Sequence, residues 1–107
     1  MRAEERPDMG KLVRDRIPEI IREDGGDPVV TVLGDADYRR ALLEKLFEES
    51  TELGEAPAAE VAEEIADVLE VLRAIAQVHG HEWADIEKMA EAKRSERGAF
   101  LERIHLG

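Results

Sequence analysis

The chain has 107 residues, of which 26 are Asp or Glu and 15 are Lys or Arg, so its formal net charge is −11. This length is typical of one domain, the acidic balance disfavours nucleic-acid binding, and the absence of cysteine excludes disulfides, thiolate metal sites and a cysteine nucleophile. No apolar stretch reaches the roughly 18 residues of a membrane helix, and residues 1–10 lack the apolar segment of a signal peptide, so we expect a soluble cytoplasmic protein without membrane contact.

The N-terminal third is predicted to hold little regular structure. Residues 1–10 are predicted to be a disordered tail, and one domain is expected over residues 11–107. A short helix is predicted after the tail, because Pro18 favours a first helical turn and the pair Gly25 and Gly26 ends a helix. The β-branched run 28–33 is too short for a helix, so it is either an extended arm or a single strand. A lone strand would need a partner, which another subunit could supply.

Two long helices are predicted next, each from apolar residues spaced three and four apart. The first is predicted to begin at Asp37, a good N-cap residue, and to end at Gly54 and Pro57. Its inner face would consist of Tyr38, Leu42, Leu46, Glu49 and Leu53. The second is predicted over residues 58–78, with Gly80 closing it. Its inner face would consist of Val61, Ile65, Val68, Leu72 and Ile75.

A third long helix is predicted from Trp83 to Arg97, where Gly98 interrupts it. Trp83 could stack on a nucleobase, but a single tryptophan at a helix start is more often a core anchor, and we interpret it so. The low aromatic content, 4%, also favours a core of aliphatic side chains in packed helices. The fold class is therefore predicted as all-α. Three helices would leave a large apolar face uncovered in a monomer, so we expect a homo-oligomer that completes a four-helix bundle.

Acidic residues are concentrated on the first two long helices. Between Glu44 and Glu70 the chain has ten acidic residues and one basic residue, Lys45. Some of these acids occupy positions on or beside the apolar faces, namely Glu49, Glu52, Glu64 and Asp67. Burying four anions costs many kcal/mol unless their pKa values rise or cations lie between them. A slightly rotated helix that exposes the acids is the alternative explanation.

These carboxylates offer only oxygen ligands, because the chain has no cysteine and neither acidic pair has a suitably spaced histidine. Oxygen ligands favour a hard divalent cation, Mg²⁺ or Mn²⁺, and such ions commonly bind substrate phosphates. A ferritin-like di-iron site is disfavoured, because neither acidic pair has the histidine of a Glu-x-x-His motif. Two basic clusters accompany the acids. Lys93 and Arg97 share a face of the third long helix, where pairing with Glu96 or Glu102 is the alternative role. A second cluster near the N-terminus has no assigned role, with ligand binding and subunit packing both open: Lys11, Arg14 and Arg16.

The acidic motifs resemble those of a known superfamily. Residues 48–52 (EESTE) followed by residues 64–67 (EIAD) resemble the E-E-x-x-E and E-x-x-D signature of the all-α nucleoside triphosphate pyrophosphohydrolases, which include the MazG-like and phosphoribosyl-ATP pyrophosphatase proteins. Residues 11–21 (KLVRDRIPEII) and the segment from Lys93 through residues 97–100 (RGAF) resemble the opening and closing segments of a small MazG-like subgroup. The resemblance covers residues 11–106, although Ala99 stands where that subgroup usually has a second glycine.

This resemblance implies a helical bundle of the NTP pyrophosphatase type, assembled as a homodimer or homotetramer. It implies Mg²⁺-dependent hydrolysis of a nucleoside triphosphate, in some members a noncanonical one removed by house-cleaning, to the monophosphate and pyrophosphate, with Mn²⁺ as a possible substitute. Matched to the motif, the metal ligands would be Glu49, Glu52, Glu64 and Asp67. Glu48 would orient or deprotonate the attacking water, and Lys93 and Arg97 would bind phosphate. The alternatives are a phosphoribosyl-ATP pyrophosphatase and a noncatalytic helical interaction or regulatory module.

Overall fold

The computed structural model describes residues 10–107, and within them the chain is all-helical, with no strand. Four α-helices occur in the order α1 (Ile17–Glu23), α2 (Asp35–Glu55), α3 (Val61–Val78) and α4 (Trp83–Arg97). The predicted all-α class is therefore confirmed, and the tail predicted over residues 1–10 lies outside the described residues except for Gly10. Among the described helices, none combines the length and apolar character that crossing a membrane requires.

Helix α1 and the arm after it follow the predicted pattern. Pro18 lies in the first turn of α1, and Gly25, just after its end, has a φ of 88°, which favours glycine. Residues 28–33 form no regular element, and Val29 is 99% exposed. Of the two predicted forms, this run is thus an extended arm and not a strand, because no second extended segment pairs with it within the described residues.

Helix α2 begins two residues earlier than predicted. Its N-cap is Gly34, so the predicted N-cap at Asp37 is wrong. Asp35 and Asp37 both lie in the first turn, where carboxylates interact favourably with the helix dipole. The Asp37 side chain accepts a hydrogen bond from Arg40 at 3.4 Å instead of capping the helix. The end is as predicted, since α2 stops at Glu55, just before Pro57.

The predicted second long helix divides into a 3₁₀ turn, Ala58–Glu60, and α3. Its inner face is also rotated relative to the prediction, because Val71 is buried while Ile65 and Leu72 are exposed. The rotation brings acidic positions inward and leaves two large aliphatic side chains outside. The periodic pattern could not detect this shift, because α3 carries apolar residues around more than half of its circumference.

Helices α2 and α3 form the centre of the fold. A five-residue connection makes them antiparallel neighbours, and they share more contacts than any other two elements among the described residues. Within the same part of the chain, the buried hydrophobic side chains are few, namely Leu42, Val71 and Ala76. The α4 helix adds its half-buried Trp83, whose ring lies 5.1 Å from the Arg73 guanidinium carbon, and this contact agrees with an anchoring role.

The α2–α3 pair has two different flanks. In an antiparallel pair of right-handed helices, the residue after an inward position turns toward the same side of the pair on both helices. On one side these residues are apolar and exposed, and we call this side the apolar flank: Leu43, Phe47, Ile65, Leu69 and Leu72. On the other side lie residues that border a cleft, and we call this side the cleft flank: Tyr38, Lys45, Asp67, Glu70 and Ala74.

Candidate metal centre

Carboxylates from α2 and α3 converge where the second half of α2 lies beside the first half of α3. Their oxygen atoms form two groups, within each of which all the atoms lie within 4.8 Å of one another. One group consists of Glu48, Glu49 and Glu52, and the other of Glu49, Glu64 and Asp67. Glu49 belongs to both groups. The fold therefore brings together all five carboxylates that the sequence motifs single out.

Glu49 is the most informative member of this cluster. It is only 6% exposed, so the alternative in which a rotated helix exposes it is wrong. Its Oε1 atom lies 3.3 Å from Lys45 Nζ, whereas its Oε2 atom is buried without a hydrogen-bond partner among residues 10–107. Glu64 Oε2 is likewise buried and unpartnered. Buried carboxylate oxygens normally have partners, so two orphaned acceptors in one cluster point to a cationic ligand between them.

Three cationic side chains partly balance the cluster. Lys45 Nζ lies 3.3 Å from both Glu48 Oε2 and Glu49 Oε1, and Lys11 Nζ lies 3.6 Å from Glu48 Oε1. Arg14 Nη2 donates a hydrogen bond of 2.8 Å to Asp67 Oδ1. Within the described residues, five carboxylates thus face three cations, which leaves an excess of two negative charges when all are ionised. One divalent cation would neutralise that excess.

Two carboxylates of the cluster, Glu52 and Glu64, have no cation within hydrogen-bonding distance in the part of the chain that the structure describes. Loss of hydration raises the pKa of Glu64, and repulsion from Glu52, Asp67 and Glu49 raises it further. The pKa of Glu52 is also raised, first by loss of hydration and then by repulsion from Glu49 and Glu48. A metal ion beside them would reverse this effect, because an opposite charge favours the ionised form.

The donor set fits Mg²⁺ or Mn²⁺. The donors are all carboxylate oxygens, which hard divalent cations prefer. Oxygen ligands on opposite sides of Mg²⁺ are about 4.2 Å apart, given a metal–oxygen distance of about 2.1 Å. Groups whose oxygens already lie within 4.8 Å therefore need side-chain shifts of less than about 1 Å to close around such an ion. Glu49, Glu64 and Asp67 are the best placed, because two helices hold them and all three are at least partly buried.

A cleft of about 630 Å³ opens beside this cluster, between the cleft flank and residues 11–17. Its carboxylate end contains Glu49 and Asp67 together with Lys11, Arg14 and Lys45, and its far end contains Tyr38, Arg73 and Gln77. Tyr38, which our sequence interpretation placed in the core, is half-buried on the wall of this cleft.

The three cations that surround the carboxylates had no predicted role at the cluster, since ligand binding and subunit packing were both open for Lys11 and Arg14 and no role was predicted for Lys45. Lys45 was detectable, because it precedes Glu48 and Glu49 by three and four residues on one helix. Arg14 was not detectable as a partner, since 53 residues separate it from Asp67 and no local pattern joins them. By contrast, Lys93 and Arg97 are exposed on α4 and do not line the cleft, so their phosphate-binding role stays a prediction.

Comparisons with known proteins provide a relative but no function. A 45-residue stretch, 42% of this chain, is 56% identical to an uncharacterized protein of Mycolicibacterium smegmatis. The matched stretch spans 46% of that protein's length. No family model matches the chain, and no solved structure matches it.

Proposed function

We propose that this protein is a Mg²⁺-dependent nucleoside triphosphate pyrophosphohydrolase. The observation that carries the proposal is the buried Glu49 carboxylate, whose Oε2 atom has no partner and which joins two groups of converging carboxylates. An anionic cluster around a buried carboxylate is costly to a folded chain, and a bound divalent cation would offset that cost. The resemblance of residues 48–52 and 64–67 to the pyrophosphohydrolase signature supports the same activity.

In this proposal Glu49, Glu64 and Asp67 hold Mg²⁺, and Glu52 joins them from the exposed end of the cluster. The bound ion would neutralise triphosphate charge and lower the pKa of a coordinated water. Water attacks the α-phosphorus, the bond from that phosphorus to the bridging oxygen breaks, and pyrophosphate leaves with the bond electrons. Glu48 orients the water and accepts its proton. Its carboxylate lies between the ammonium groups of Lys45 and Lys11, which fix its position.

The apolar flank supports a homodimer as the working unit. Phe47 is 76% exposed and Ile65 is 52% exposed, although both lie on the central helices of the fold. The radius of gyration is 17.3 Å, whereas a compact chain of this length has about 13 Å. A second copy packed on the same flank would cover these side chains and complete a four-helix bundle, in agreement with the predicted oligomer.

A noncatalytic helical module is the second candidate, and the ion pairs of the cluster favour it. Three of the five carboxylates already contact a lysine or arginine, which lowers the cost of holding them together without a metal. The unpartnered oxygen of Glu49 and that of Glu64 argue against this candidate, because a module selected for packing gains nothing from them.

Pyrophosphate release separates the two candidates. The full chain with Mg²⁺ is incubated with canonical, deoxy and oxidised nucleoside triphosphates and with phosphoribosyl-ATP. We expect turnover of one class, and Glu49→Ala should abolish it together with the gain in thermal stability that Mg²⁺ or Mn²⁺ provides. That gain is about 2.7 kcal/mol at a metal concentration of 100 times Kd.

Glu44→Ala is the matched control, since Glu44 is an exposed acid of α2 outside both carboxylate groups. It should keep both the turnover and the metal-dependent stabilisation. Stabilisation by metal without turnover of any nucleotide would favour a binding module, and no effect of metal on the folded protein would refute the metal centre itself.

A further inference from the structure

The basic segment before α1, residues 11–16, lies across the cleft flank, and apart from the contact of Lys11 with Glu48 it has no role in the reaction described so far. Lys11 and Arg14 both line the cleft. Arg14 Nη2 contacts Asp67 Oδ1 of α3 at 2.8 Å, and Lys11 Nζ lies 3.6 Å from Glu48 Oε1 of α2. The segment therefore places one cation against each of the two helices that form the candidate metal centre.

The contact between Arg14 and Asp67 is easily exchanged. Among the described residues, the side-chain hydrogen bond of Arg14 is made through one guanidinium nitrogen only. The Arg14 side chain is 57% exposed and that of Asp67 is 32% exposed, so water competes for both groups. A guanidinium has five N–H donors in a planar fork that matches phosphate oxygens. Arg14 thus retains unused donors at the mouth of the cleft.

The cleft has the two ends that a nucleotide needs. Lys11, Arg14 and Lys45 supply positive charge at the carboxylate end, and Tyr38 and Gln77 supply an aromatic ring and an amide at the far end. Its volume, about 630 Å³, lies within the usual range for small-molecule sites. Glu49, whose buried Oε2 atom has no partner among the described residues, belongs to the same carboxylate group as Asp67, which independently points to a cation at this end.

We propose that Arg14 exchanges partners during the binding cycle. It pairs with Asp67 before a divalent ion binds, and it pairs with phosphate groups of the nucleotide once the ion has taken Asp67 as a ligand. Lys11 contributes a second phosphate contact from the same segment. This inference rests on the proposed function, because it takes Asp67 as a metal ligand and a nucleoside triphosphate as the substrate.

The exchange predicts opposite effects of one substitution on two ligands. In Arg14→Ala the metal no longer competes with the guanidinium, so we expect Mn²⁺ to bind about two- to fivefold more tightly in the absence of nucleotide. With saturating Mn²⁺, the same variant should bind inorganic tripolyphosphate at least about tenfold more weakly, because a charge-assisted phosphate contact is lost. Electron paramagnetic resonance measures the first affinity and titration calorimetry the second.

Arg16→Ala is the matched control, since Arg16 belongs to the same segment but pairs with Glu19 of α1 at 3.1 Å. Both of its affinities should stay within twofold of the natural chain. Arg14→Lys keeps the charge without the planar fork, so it should retain the Mn²⁺ affinity of the natural chain. Its tripolyphosphate affinity should lie between those of the natural chain and Arg14→Ala. It also replaces Arg14→Ala if that variant fails to fold.

Other outcomes separate this inference from the proposed function. Parallel weakening of Mn²⁺ and tripolyphosphate binding in Arg14→Ala would overturn the exchange and indicate a structural role. Unchanged tripolyphosphate affinity would also overturn it, whether or not the natural chain hydrolyses nucleotides. Tighter Mn²⁺ binding together with weaker tripolyphosphate binding in Arg14→Ala would support the exchange even if the natural chain hydrolysed no nucleotide. That absence of turnover would refute the proposed hydrolase. Failure of the natural chain to bind Mn²⁺ would refute both.

Discussion

The two flanks of the α2–α3 pair differ in what covers them. On the cleft flank, residues 11–17 lie over a charged surface and supply cations to it. On the apolar flank, Phe47, Leu69 and their neighbours are left exposed. Both flanks belong to the same two helices, where their residues lie on either side of the inward positions, as Asp67 and Leu69 do. The comparison shows that the chain provides its own cover for the charged side and none, within the described residues, for the apolar side.

This difference connects the acidic cluster with the homodimer that we propose. The cluster is held only where α2 and α3 meet, and few hydrophobic side chains are buried between them. A pair of helices with so small a core is marginal in water unless further apolar surface is buried. Covering the apolar flank would therefore stabilise the geometry of the carboxylates on the other side.

The largest expected effect comes from placing a charge on the apolar flank. Leu69→Asp places one charge per protomer on the surface that a twofold dimer would cover, and it removes the apolar contact of the 38% of Leu69 that is exposed, which contributes about 0.6–1.1 kcal/mol per protomer. Burying two unpaired carboxylates costs several kcal/mol more, so we expect the proposed dimer to dissociate to monomers at micromolar concentration. Sedimentation velocity on the natural chain and on the variant measures this change.

Val29→Asp is the control for that experiment, because Val29 is 99% exposed but lies in the extended arm and not on the apolar flank. Its variant should remain dimeric. If Val29→Asp dissociates the protein and Leu69→Asp does not, the arm rather than the apolar flank forms the interface.

The sequence predicted the central helices and their acidic positions well. Glu49 was identified as inward-facing because it interrupts an apolar stripe, and the structure buries it. The end of α2 and both bounds of α4 also followed from Pro57, Trp83 and Gly98, which act through local backbone chemistry. Such features are predictable because their causes lie within a few residues of one another.

Features that depend on distant contacts were not predictable from the sequence. The rotation of α3 that exposes Ile65 and buries Val71 depends on which side chains α2 presents to it. The contact of Arg14 with Asp67 depends on the path of the chain through the arm and α2. Periodicity describes one helix at a time, so it cannot choose between two apolar faces of similar width.

A smaller effect is expected when the cleft flank loses its most buried cation. Lys45→Met keeps the side-chain volume but leaves the buried Glu49 carboxylate without its ammonium partner at 3.3 Å. With metal removed, the free energy of unfolding should fall by about 1–3 kcal/mol. Mn²⁺ should restore most of this loss, because the ion supplies the missing positive charge. Urea unfolding with chelator and with Mn²⁺ tests this, and an equal loss in both conditions would show that Lys45 acts by packing alone.

The smallest expected effect is a change in pH dependence at the cluster. Loss of hydration and repulsion from Glu52 and Asp67 raise the pKa of Glu64 above its ordinary value of 4.5, so the folded chain binds this proton more tightly than the unfolded chain. The resulting stabilisation is present at acid pH and is lost as the pH rises through the raised pKa.

This loss is tested with the metal removed by chelator. As the pH rises through the raised pKa of Glu64, the Tm of Glu64→Gln should increase relative to that of the natural chain. Glu44→Gln, a substitution outside the cluster, should show a smaller increase in Tm. With Mn²⁺ the natural chain should have a higher Tm than Glu64→Gln, because the ion binds the ionised carboxylate that Gln lacks. A Tm difference between Glu64→Gln and the natural chain that is independent of both pH and metal would contradict a strained carboxylate at this position.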